Sequence, residues 1–104
     1  MTTSTRPSLP RTLSDVELAA RRWNRAYQTY SDAYYREREL TRELYRYSNS
    51  LGCRRSHQEQ LKIEAMWREI ERADAEVSRL SVEFTEAQNV AEAFGIDTGR
   101  KPAR

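Results

Sequence analysis

Ser48-Asn49-Ser50-Leu51-Gly52-Cys53-Arg54-Arg55-Ser56-His57-Gln58-Glu59 is the one interior stretch of this sequence that reads as a break. Ser48, Asn49, Ser50 and Gly52 close a helix, and Gly52 suits the left-handed position just past its end. Ser56 opens another. Its hydroxyl can cap the first turn while Glu59, three residues on, reaches back to the Ser56 amide, a capping box. On either side the chain runs far without a breaker: no Gly or Pro lies between Pro10 and Gly52, and none between Gly52 and Gly95.

The outer ends carry signals of their own. Leu13-Ser14-Asp15-Val16-Glu17-Leu18 has the form of a second capping box, Ser14 with Glu17, and Leu13 before the cap can pack on Leu18. Phe94-Gly95-Ile96 has the form of a Schellman ending, Gly95 left-handed and an apolar residue following. These signals predict helix 1 at about 14–50, a turn at about 51–56 and helix 2 at about 57–94. Residues 1–13, with Thr, Ser, Pro7 and Pro10, read as a flexible basic arm, and residues 95–104 as a flexible tail. Each helix would be about 55 Å long at about 1.5 Å per residue, and helices of that length need a seam to bury.

The seam is present at alternating spacings of three and four. On helix 1 it runs Val16, Ala19, Trp23, Ala26, Tyr30, Ala33, Glu37, Leu40, Leu44, Tyr47. On helix 2 it runs Ile63, Met66, Ile70, Ala73, Val77, Leu80, Phe84, Ala87, Ala91, Phe94. Nineteen of the twenty are apolar or aromatic in a chain that is 38% hydrophobic, so this is a sustained heptad pattern. A short turn makes the helices antiparallel. Setting Tyr47 against Ile63 then pairs large with small along the seam, Trp23 with Ala87 and Phe84 with Ala26 being the clearest cases. Charge agrees: residues 14–55 sum to +3 and residues 56–94 to −5. Arg22 and Arg36 flank the seam on helix 1, and Glu69, Glu76 and Glu83 flank it on helix 2. The expected fold is all-α, a long antiparallel two-helix hairpin of coiled-coil type. Dimerisation into a four-helix bundle is the further expectation, since one hairpin has a thin core.

Several classes of function are disfavoured by composition. Of 104 residues one is cysteine, Cys53, which rules out a disulfide framework and leaves too few ligands for a metal cage. No nucleophile, base and orienting group gather in the sequence, so an enzyme is not expected, nor a cofactor. No apolar run approaches the ~18 residues of a membrane span, and the N-terminus lacks an apolar signal core. The expected compartment is the cytoplasm. The 16 Arg against 2 Lys point to a GC-rich genome, actinobacterial or phage.

The candidate binding residues lie beside the seam. Ala20, Tyr27 and Tyr34 form a row one position beyond it on helix 1, and Trp67 takes the equivalent place on helix 2. Glu37 is the one charge inside the seam. Together they suggest a partner-binding flank, the partner being a foreign protein or a second copy in a homodimer. The alternative is that the aromatics only cover the seam's edges with their hydroxyls in water, and that the Glu37 carboxylate simply reaches solvent. Arg54 and Arg55 at the turn are the candidate anion contacts, weighed against a solvated turn. A sequence pI near 8.9 raises nucleic-acid binding as a second class, but the basic excess is spread thinly and no helix-turn-helix, zinc or aromatic RNA pattern occurs.

The outline of about 100 residues in a helical hairpin is similar to the WXG100 family of small secreted actinobacterial proteins. That family carries Trp-x-Gly at the turn and Tyr-x-x-x-Asp/Glu after helix 2. Here the turn reads Ser50-Leu51-Gly52, and the Tyr-x-x-x-Glu is Tyr35 to Glu39 within helix 1. The resemblance covers architecture, and implies a secreted hairpin as a third reading.

Overall fold

A computed structural model gives the architecture. It describes residues 8–100, with side chains from 14 to 100. Two long helices pack against each other as an antiparallel hairpin: α1 Ser8–Leu51 and α2 His57–Ala93. No strand occurs among the described residues.

The start of α1 differs from the expectation. The helix begins at Ser8, so Ser14 lies inside it and the Ser14–Glu17 pattern does not mark the N-terminus. Pro10 is no obstacle there. The first four amides of a helix have no intrahelical acceptor, so a residue without an N–H fits the first turn. Residues 8–13, expected as part of the arm, therefore belong to α1. Residues 1–7 and 101–104 lie outside the described residues, as does the Leu13 side chain of the proposed staple.

The chain divides into two compact units, a terminal unit (Met1–Gln28 with Val82–Arg104) and a tip unit (Thr29–Ser81). In the tip unit Leu44, Ile63 and Ile70 form a buried cluster with Leu40, Tyr47, Leu51 and Met66 packed on it, and Leu80 is buried further along α2. Leu40 with Ile70, Leu44 with Met66 and Tyr47 with Ile63 are the layers expected from setting Tyr47 against Ile63, and all six residues fall in this cluster. Leu44, 2% exposed, is the largest fully buried side chain among the described residues. Burying it is worth about 1.5–3 kcal/mol over leaving it in water. The turn closes as read. Gly52 has φ 71°, the Ser56 amide donates to Glu59 Oε1 at 2.8 Å, and the Glu59 amide donates to Ser56 Oγ at 3.1 Å.

In the terminal unit the buried residues are alanines: Ala19, Ala87 and Ala91. Trp23, Ala26 and Phe84 are half-buried. The Schellman ending forms, with the Ile96 amide on the Ala91 carbonyl at 3.0 Å, the Gly95 amide on the Glu92 carbonyl at 2.9 Å, and Gly95 at φ 84°. This ending corrects one seam position. Phe94 falls past the last helical residue, leaves the helical register and is 47% exposed, while Ile96 is half-buried. The tail folds back on α2 through residue 100. The Arg100 guanidinium grips the Glu92 carboxylate and donates to Asn89 Oδ1 at 2.7 Å, and Thr98 donates to Glu92.

Candidate functional site

Within the tip unit the heptad separates two flanks of unlike chemistry. Labelling the seam positions a and d puts Arg36, Glu43 and Ser50 of α1 and Lys62, Glu69 and Glu76 of α2 at g. In an antiparallel pair the two g rows share one side, and the structure shows it. Arg36 Nη2 lies 3.7 Å from Glu69 Oε2, and one concavity of about 260 Å³ is lined by Arg36, Glu69 and Glu76 from both helices over Ala33 and Ala73. Lys62 Nζ sits 4.4 Å from the Tyr47 ring centroid. Glu76 turns along its own helix instead of across the seam. Its hydrogen bond from Arg79, 2.6 Å at the closer oxygen, holds the Glu76 carboxyl below its ordinary pKa. This flank thus carries one exposed cross-helix ion pair beside an open concavity.

The e rows share the other side, and there the charge all but disappears. In the tip unit they hold Tyr34, Thr41 and Ser48 on α1 and Gln60, Trp67, Asp74 and Ser81 on α2. Tyr34 is 37% exposed and Trp67 44%, and next to them on α1 Tyr35 and Tyr45 are more exposed still. The tyrosine is held in place. Arg38 Nη1 donates to Tyr34 Oη at 3.1 Å, the Arg38 guanidinium carbon lies 5.6 Å from the Tyr34 ring centroid, and Tyr35 meets the ring edge-on at 5.5 Å. In a chain that is 33% charged, the row nearest the seam on this flank thus holds a single charge, Asp74, with charged residues returning one step further out.

The remaining predicted residues fall elsewhere. Ala20 and Tyr27 belong to the terminal unit. Ala20 is half-buried, and the Tyr27 ring leans on Phe84 at 5.7 Å while remaining 53% exposed. Glu37 is half-buried beside the tip-unit flank, where the Thr41 hydroxyl donates to its backbone carbonyl at 3.0 Å and approaches Oε2 at 3.3 Å. At the turn Arg55 donates to Ser48 Oγ at 2.7 Å, while Arg54 and Cys53 are exposed. One step outward from the row of Tyr34 and Trp67 stand Arg38 and Tyr45 on α1 and Glu71 on α2, all exposed.

Comparison with protein-family models, curated proteins and solved structures finds no match. No helix among the described residues is long and apolar enough to cross a membrane.

Proposed function

We propose that the protein is a non-enzymatic interaction module that binds another polypeptide through the aromatic flank of its tip unit. The observation that carries this reading is the exposure of Trp67 and Tyr34 on the one flank of the tip unit whose row nearest the seam holds a single charge, Asp74. Tryptophan and tyrosine supply large contact area at small entropic cost, and they are the residues most enriched in binding hot spots. An adaptor, an inhibitor or a small assembly component, working in the cytoplasm of an actinobacterium or its phage, fits this chemistry.

The test compares wild type with Tyr34→Ala and Trp67→Ala as bait for purified candidate partners and for the chain itself, after circular dichroism has matched the helix content. A Trp67→Ala loss of about tenfold or more in affinity is expected for a buried aromatic anchor. Unchanged binding by both variants would remove the flank from the function. A salt-sensitive shift of plain duplex DNA, unaffected by either variant, would move the protein to the nucleic-acid class instead.

A further inference from the structure

One stripe on α1 in the tip unit runs Tyr34, Arg38, Thr41, Tyr45, exposed except at half-buried Thr41; it contains no acid, and the nearest one, Glu37, is half-buried and hydrogen-bonded to Thr41. The stripe on the same side of α2 runs Glu64, Trp67, Glu71, Asp74, and it contains no base. Among the described residues neither Glu71 nor Asp74 has an ion-pair partner within the chain. The two stripes sit at equal levels, because the seam pairing brings residue 38 level with about 71–72 and residue 45 with about 64–65. Side by side in one hairpin they point outward and cannot meet each other.

We propose that the occupant of this flank is a second copy of the chain, related by a twofold axis parallel to the helices. This rests on the interaction reading above and names its partner. Such an axis lays each α1 stripe across the other copy's α2 stripe without any shift of level. Arg38 then faces the second copy's Glu71, Tyr34 its Asp74, Tyr45 its Glu64, and Trp67 enters beside Thr41. Every contact occurs twice, as an isologous interface requires. The other twofold that joins these faces lies across the helices. It sets α1 on α1 and α2 on α2, bringing Arg38 toward Arg38 and Glu71 and Asp74 toward their own copies, and like charges at such positions disfavour it. The Arg38–Tyr34 contact, already made in the single chain, sets the guanidinium on this flank.

The single cysteine makes the geometry measurable. Cys53 is exposed at the turn. The parallel twofold puts both Cys53 residues at one end of the assembly. The crossed twofold separates them by about 40 Å or more, since the turn lies roughly 20 Å along the helix from Arg38. We expect a nitroxide pair on Cys53 of the full chain to report a distance below about 30 Å by pulsed dipolar spectroscopy. We also expect Arg38→Glu and Glu71→Arg each to weaken self-association by about tenfold or more, and the double variant to restore most of it. A dimer with labels beyond about 40 Å, or a double variant no tighter than the singles, overturns the arrangement. A chain monomeric at all concentrations that still binds a foreign protein through Trp67 overturns this inference and leaves the interaction reading standing. Loss of both kinds of binding sinks the two together.

Discussion

The two units of this hairpin bury different things under the same heptad. The tip unit buries Leu44, Ile63, Ile70 and Leu80, and the terminal unit buries Ala19, Ala87 and Ala91 beneath half-buried aromatics. The tip unit is closed by a covalent turn and a capping box. The terminal unit is closed by a Schellman ending and the strap from Arg100 to Glu92. Along the aromatic row, Tyr27 leans on Phe84 in the terminal unit and is still 53% exposed, while in the tip unit Tyr34 is 37% exposed and Trp67 44%. The row stays partly in water in both units, and what differs is the layer beneath it: alanines in one unit and large aliphatic side chains in the other.

Removing the tip unit's main buried side chain should have the largest effect. Leu44→Ala is expected to cost about 2–5 kcal/mol in urea unfolding, because it deletes the largest fully buried side chain and leaves a cavity. A loss below about 1 kcal/mol would mean that the aliphatic cluster does not hold the hairpin. In the terminal unit the opposite change should do harm. Ala87→Leu overfills a position that is 1% exposed, at an expected cost of about 1–3 kcal/mol. A stabilised variant would show the alanine layers to be slack.

The smallest effect is one of pH and is confined to the strap. Hydrogen bonds from Arg100 and Thr98 hold the Glu92 carboxyl below its ordinary value of 4.5. A depressed carboxylate pKa contributes stability that is fully present above the ordinary value and is lost as pH falls through the lower, folded one. Amide exchange at Gly99 and Arg100 should therefore quicken in acid relative to the helix interior once the intrinsic pH dependence of exchange is divided out. The Glu76–Arg79 pair of the tip unit also titrates, but it joins neighbours on one helix, so its loss should release no segment. Strap protection that stays constant to pH 2 would remove Glu92 as its anchor.

What was legible in the sequence was what local periodicity encodes. All seven buried hydrophobic residues among those described fall on the heptad seam, because burial on a helix has to recur every three or four positions. Ser56 with Glu59, and Gly95 with Ile96, were readable because each is a short motif with its own hydrogen bonds. Ser14 with Glu17 misled because the same motif inside a helix carries no information about where the helix begins. The strap was missed because Arg100 and Glu92 are eight residues apart and follow no period. On the candidate site, the partial exposure of Tyr34 and Trp67 follows from their offset to the seam, whereas the contact of Tyr27 with Phe84 and that of Arg38 with Tyr34 depend on which side chains stand nearby.

The direct test of the account is whether another chain covers Trp67. Trp23 has a buried Nε1 with no hydrogen-bond partner, so Trp23→Phe removes the other indole and takes an unsatisfied donor with it. Trp67 is then the sole tryptophan of the chain. Its emission should shift to the blue as protein concentration rises, with the same midpoint as the rise in mass above 12.3 kDa seen by light scattering. Emission that stays that of a half-exposed indole while the mass doubles would place the interface elsewhere and contradict the account.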